Sequence, residues 1–140
     1  MNGTLIVELL RCFNIMITSR QLFQTFLFIY ESGIPVALRP LIWPFISRTD
    51  IYRRKYPDTY YATLLARANT ELDEKVKLDI EKDLERTFPG HDYFNTPEAI
   101  HCLRRVLTAF ALKNSSVGYC QSLNFLAGAM LLFMEEESAF

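Results

Sequence analysis

The sequence predicts an all-α fold of stacked helices rather than a regular bundle, and three observations carry that prediction. Leu72, Val76, Ile80 and Leu84 recur every four residues, and Ile100, Leu103, Leu107 and Phe110 recur at spacings of three and four. Each set therefore lies on one face of a helix. Thr96-Pro97-Glu98 is a helix start, with a capping hydroxyl, a proline at the first helical position and an early acid. No stretch alternates apolar and polar residues as a half-buried strand would.

The elements follow in order along the chain. Leu5 to Ile17 is apolar but broken by Glu8, Arg11 and Asn14, and Leu22 to Tyr30 is apolar but short. Neither reaches the roughly 20 residues of a membrane span. Met1-Asn2-Gly3-Thr4 lacks the basic start of a secretory signal. Residues 1–30 are thus expected to form a separate apolar segment of two packed helices. Ser32-Gly33 ends a helix and Pro35 begins the next, with Arg39 to Ser47 a short helix carrying Trp43 inward. Pro57-Asp58 opens a stretch to Ala68 that holds Tyr60, Tyr61, Leu64 and Leu65. Thr70 with Asp73 resembles a weak capping box for the Leu72–Leu84 stripe, and Phe88-Pro89-Gly90 stops that helix. Asn114-Ser115-Ser116 reads as the cap of a last long helix to about Met134, which puts Gln121 in its first turns. Glu135-Glu136-Glu137 reads as a solvated helix start.

Composition narrows the function. The 140 residues suit one domain, half of them are apolar, and the mean hydropathy of +0.07 is high for a small soluble domain. The net charge of −1 argues against a nucleic-acid binder driven by phosphate neutralisation. That charge is uneven: residues 1–70 carry +4 and residues 71–140 carry −5. Arg53-Arg54-Lys55, flanked by Tyr52 and Tyr56, reads as a solvated basic face rather than a base-stacking surface. Cys12, Cys102 and Cys120 are odd in number and irregular in spacing, which favours free thiols in a reducing compartment. Cys102 and Cys120 read as small buried hydrophobes. With His91 and His101 they show no metal-ligand spacing. No G-x-x-x-x-G-K-[ST] loop is present, so the chain holds no P-loop for GTP.

Two polar constellations stand out against this helical background. Asp83 and Arg86 are three apart on one helix, so their side chains can meet. They form either a surface pair or a carboxylate at the edge of the core, tethering Arg86 or bracing the following loop. An acid beside the Ile80–Leu84 stripe is costly without a partner. Arg86 falls in the last helical turn, where the helix dipole favours a cation. Gln121, placed near a helix N-terminus, sits where backbone N–H groups suit a phosphate, or else bonds a loop carbonyl. Gly118 lets backbone approach closely, and Tyr119 packs to position the turn.

Three separated blocks carry a family resemblance. Gly33-Ile34-Pro35 with Arg39 and Trp43 fits G-I-P-x-x-x-R-x-x-x-W. Ile80, Asp83 and Arg86 fit I-x-x-D-x-x-R, followed by Thr87-Phe88-Pro89 and Phe94. Val117-Gly118-Tyr119-Cys120-Gln121 with Asn124 fits a Y-x-Q motif. In this order the chain resembles a TBC domain, the GTPase-activating module for Rab-type small GTPases. Pro40, where relatives often carry Gly, and Ser115, where Asn-Pro is common, depart from the pattern without touching a catalytic position. The resemblance implies an arginine finger at Arg86 and a glutamine finger at Gln121, both catalytic. Asp83, Tyr119 and Ile80 would support them, and Gly33, Pro35, Arg39 and Trp43 would form a structural motif. It implies no metal or cofactor of the chain's own, since GTP and Mg²⁺ belong to the partner. That partner would be a Rab-type small GTPase, and nucleic acid would not be one. It further implies a role in vesicle trafficking and a cytoplasmic location, with peripheral association at endomembranes through adaptors. Residues 31–140 would be an incomplete TBC domain, because the family runs on through further helices. The alternative function is a TBC-like scaffold that binds a small GTPase or a trafficking adaptor without catalysis.

Overall fold

The structure, a computed structural model, describes residues 33–140 as helices and turns, with no strand among them. The expected N-terminal helices, Cys12 and the helix end at Ser32 lie outside the described residues. The chain divides into two compact units, the first running to Ile46 and the second spanning Ser47–Phe140.

In the first unit Gly33 takes φ +75°, a left-handed turn that glycine adopts without steric cost. Pro35 then precedes a 3₁₀ turn, Val36–Leu38, which leads into α1, Arg39–Ser47. Arg39 donates from Nε to the Ile34 carbonyl at 3.0 Å, and its guanidinium carbon lies 5.8 Å from the centre of the Trp43 ring. Positions four apart share a helix face, and a guanidinium over an indole is a cation–π contact. The Gly33-Ile34-Pro35, Arg39 and Trp43 motif is therefore a local latch at the start of α1. It also corrects the expectation that Trp43 is core: Ile42 is buried and Trp43 only half-buried. Neighbouring helix positions point about 100° apart. Ile42 takes the inward direction and leaves Trp43 on the Arg39 face.

The second unit contains α2 (Thr49–Arg53), α3 (Tyr60–Glu71) and α4 (Glu74–Leu84). A 3₁₀ turn, Asp92–Asn95, then leads to α5 (Pro97–Lys113), α6 (Leu123–Leu131) and the short α7 (Glu136–Ala139). Helix α5 is the central element, packed against α3, α4, α6, α7 and the 3₁₀ turn. Its expected stripe is buried at Leu103 and Leu107 and half-buried at Ile100 and Phe110. Ala99, Ala109 and Ala111 are also fully buried, because a surrounded helix needs small residues where neighbours approach closely. Leu72, Ile80 and Leu84 join the same core, with Val76 at its edge.

Helix boundaries show which side chains win the free backbone groups. Asp73 itself caps α4, accepting from the amides of Lys75 (2.8 Å) and Val76 (3.3 Å). Thr70 instead bonds back to the Arg67 carbonyl within α3. Thr96 caps α5 as the sequence predicts, accepting from the Ala99 amide. Asn114-Ser115-Ser116, expected to open the last helix, instead closes α5. The Asn114 amide donates to the Phe110 carbonyl at 3.0 Å, and the Asn114 carbonyl accepts from Gly118 at 2.7 Å. Asparagine serves either helix end, and here both its backbone N–H and its side-chain amide bond back to the Phe110 carbonyl. Helix α6 consequently starts at Leu123 and ends at Leu131, with a turn to Met134.

Glu135 is exposed as expected, but Glu136 and Glu137 are docked rather than solvated. Glu136 accepts from Arg105 at 2.7 and 2.5 Å and from the Tyr61 hydroxyl at 2.6 Å, while Glu137 pairs with Arg53 at 2.9 Å. The Arg105 bond, followed by the Tyr61 bond, holds the Glu136 carboxyl down at about 2 against the opposing effect of burial. Acids at the start of α7 thus find cations and a phenol on α2, α3 and α5, a pairing across the sequence that local reading does not reveal.

Candidate functional site

The end of α4 places the first half of the site. Ile80, Asp83 and Leu84 are buried on its inner face, and helical structure stops at Leu84 with Glu85 as cap. Arg86 therefore lies just beyond the helix, in a turn rather than in the last helical turn, with 53% of its side chain exposed. The apolar residues anchor the helix end and the turn lifts the guanidinium into solvent.

Asp83 decides the geometry. It is 3% exposed, and one carboxylate oxygen is ion-paired with Arg86. The other accepts from the Tyr119 hydroxyl at 2.6 Å. Of the two sequence alternatives, the surface pair is excluded: the carboxylate belongs to the core and the cation to the surface. Burial, then the bond to Asp83, pushes the Tyr119 phenol well above its ordinary range, so it stays a donor. Gln121 follows Tyr119 by two residues. It is exposed in the turn before α6, outside the helix in which the sequence placed it. One buried carboxylate thus ties the turn bearing Arg86 to the loop bearing Gln121.

A second layer lies beneath, which sequence reasoning left without a role. Thr87 donates from Oγ1 to the Asp83 carbonyl at 2.7 Å, and Asn124 donates from Nδ2 to Thr87 Oγ1 at 2.8 Å. Thr87 is 1% exposed and Asn124 0%. Phe88 takes φ +47°, unusual for a bulky residue. Its ring is held by Phe94 and Phe125, at centroid distances of 5.7 and 5.4 Å. Gly128 lets α6 approach this turn, since a Cβ there would lie 3.0 Å from Thr87 and 3.1 Å from Phe88. An isolated glycine inside an apolar helix was the available signal.

Cys120, expected to be buried, is exposed: Tyr119 turns inward and its neighbour in the loop turns out. Cys102 is half-buried and accepts from the Arg105 guanidinium at 3.3 Å. Among the described residues no group of three His, Cys, Asp or Glu side chains could hold a metal ion. None of the described helices is long and apolar enough to cross a membrane. A cavity of about 310 Å³ lies elsewhere, lined by Tyr52, Tyr56, Tyr60, Met130 and Phe140, and includes neither Arg86 nor Gln121.

The family model of the Rab-GTPase-TBC domain matches residues 36–140. The chain belongs to this family. Among curated TBC relatives, GTPase-activating protein GYP3 of Saccharomyces cerevisiae is 40% identical over 123 residues, covering 79% of this chain and 19% of that protein. TBC1 domain family member 2A of Bos taurus is 41% identical over 113 residues, covering 79% of this chain and 12% of that protein. The crystal structure of the Chlamydomonas flagellar RabGAP TBC domain superposes with a TM-score of 0.69 at 32% identity, covering 77% of this chain and 37% of that one. The chain thus spans a small part of the curated TBC proteins it matches, and a little over a third of the solved TBC domain.

Proposed function

We propose that this chain carries the finger-bearing part of a GTPase-activating domain for a Rab-type small GTPase. The observation that carries this reading is the Asp83 tie. It fixes a solvent-facing arginine and the loop of a solvent-facing glutamine to one buried point. Membership of the Rab-GTPase-TBC family and the GTPase-activating name of the yeast relative support it.

The chemistry follows from the two side-chain types. Hydrolysis forms a bond from water oxygen to the γ-phosphorus and breaks the bond to the β–γ bridging oxygen. Arg86, permanently charged and planar, stabilises the charge on the transferring group and leaving oxygen. Gln121 orients the attacking water through its amide. Neither role needs a shifted pKa. GTP and Mg²⁺ come with the partner GTPase, and peripheral recruitment to an endomembrane would follow the location of that partner.

Single-turnover GTP hydrolysis by a panel of Rab-type GTPases, with and without this chain, tests the proposal. Acceleration of at least one member is expected. Measurable binding without acceleration across the panel would overturn it in favour of the non-catalytic scaffold.

A further inference from the structure

We infer that Asn124 is a positioning residue that couples the Arg86 turn to the Gln121 loop. The inference rests on the finger assignment above and goes beyond it, to the device that holds the two fingers in register. Asn124 opens α6 one residue after its start at Leu123, and so follows Gln121 by three residues. It is completely buried. Its amide nitrogen reaches across to the other loop, to Thr87 Oγ1 at 2.8 Å and towards the Asp83 carbonyl at 3.5 Å. Thr87 follows Arg86 directly, and its hydroxyl hydrogen is already committed to the Asp83 carbonyl at 2.7 Å. The Thr87 oxygen can therefore only accept, which fixes Nδ2 as the donating end of Asn124. Asn124 Oδ1 has no partner among the described residues. The tie therefore runs through the donating Nδ2 end of the side chain.

Two ties thus join the loops at different depths. The Tyr119–Asp83 bond lies on the Gln121 side of the turn, and the Asn124–Thr87 bond lies on the helix side. One bond lets a loop pivot, whereas two bonds on either side of Gln121 fix its direction as well as its distance. Asn124 touches neither water nor nucleotide in this scheme. It acts through Arg86 and Gln121.

Amide hydrogen exchange and single-turnover GTP hydrolysis on Asn124→Leu, Thr87→Val and Thr87→Ser test the inference. Asn124→Leu is close in volume and lacks the donor, whereas Thr87→Ser keeps the hydroxyl. Exchange of amides in 86–88 and 118–122 is expected to rise about ten-fold in Asn124→Leu and Thr87→Val, and to stay near wild type in Thr87→Ser. The hydrolysis rate at saturating chain is expected to fall about ten-fold in the first two with little change in half-saturating concentration, and to recover in Thr87→Ser. On an Arg86→Ala background the Asn124→Leu loss should largely vanish, since a positioning effect needs the group it positions. Unchanged loop exchange in Asn124→Leu, or an equal loss with and without Arg86, would overturn the inference. Exchange that rises as expected in a chain that never accelerates GTP hydrolysis would leave the tie standing and remove the proposed function instead.

Discussion

Gly128→Ala sets two opposing effects of known size against each other. An alanine inside α6 favours the helix by about 0.8–1.0 kcal/mol over glycine. The added Cβ would lie 3.0 Å from Thr87 Cγ2 and 3.1 and 3.3 Å from the Phe88 ring, closer than ordinary contact. Whether those neighbours can yield decides the sign. Thr87 is 1% exposed and bonded to both the Asp83 carbonyl and Asn124. Phe88 is wedged between Phe94 and Phe125 on a left-handed backbone. Neither moves without breaking something, so overpacking of about 1–3 kcal/mol should exceed the helix gain. The expected net loss is about 1 kcal/mol in urea unfolding at pH 7. Because the displaced turn carries Arg86, turnover should fall by about ten-fold or more. A variant more stable by about 1 kcal/mol with unchanged turnover would show that the close approach of α6 is slack, and the reasoning would be wrong.

Other consequences follow from named contacts. The Glu136 carboxyl is lowered from 4.5 to about 2, mainly by Arg105, so its contribution is complete above pH 4.5 and fades as pH falls towards 2. The shift bounds that contribution at about 3 kcal/mol, and screening of the 44% exposed Arg105 side chain reduces it to about 1 kcal/mol. Urea unfolding between pH 6 and 2.5 should show Glu136→Gln less stable at the upper end and converging on wild type at the lower. A constant difference across the range would contradict the assignment. Gln121→Ala should lower kcat by about 10²-fold while KM changes little, because water positioning is a transition-state interaction. A large rise in KM at constant kcat would mark Gln121 as a docking residue. Tyr119→Phe should loosen the Gln121 loop while leaving the Asp83–Arg86 pair in place, seen as faster amide exchange in 118–122 alone. Equal loosening of 86–88 would show that the phenol also holds the arginine turn.

Fold class was legible because it depends on local periodicity. Val76, Ile80 and Leu84 of the first stripe lie on α4 and the Thr96-Pro97-Glu98 start opens α5, whereas Leu72 falls before α4, at the end of α3. Boundaries that depend on tertiary competition were not. Asn114 could cap forwards or backwards, and in the structure its backbone and side-chain N–H groups both bond back to the Phe110 carbonyl. The docking of Glu136 needed Arg105 and Tyr61, 31 and 75 residues away in sequence. For the site, the sequence offered Asp83, Arg86, Tyr119 and Gln121 by motif, but no local pattern reveals that one carboxylate serves both loops. Trp43 shows the limit from the other side. A large apolar ring suggests core, yet Arg39 four residues earlier gives it a partner on the same helix face.

Arg86 is proposed to supply the charge for phosphoryl transfer in a partner GTPase. Single-turnover hydrolysis by a responsive Rab-type GTPase, with wild type, Arg86→Ala and Arg86→Lys, tests that role. An arginine finger contributes about 10³–10⁵ in rate, so Arg86→Ala should lose most of the acceleration. Arg86→Lys should recover little of it, because a point charge lacks the planar fork. The circular dichroism spectrum should stay helical, while the unfolding midpoint should fall, because the buried Asp83 carboxylate loses its cation and keeps the Tyr119 bond. Wild-type rates in Arg86→Ala would show that Arg86 is not the arginine finger.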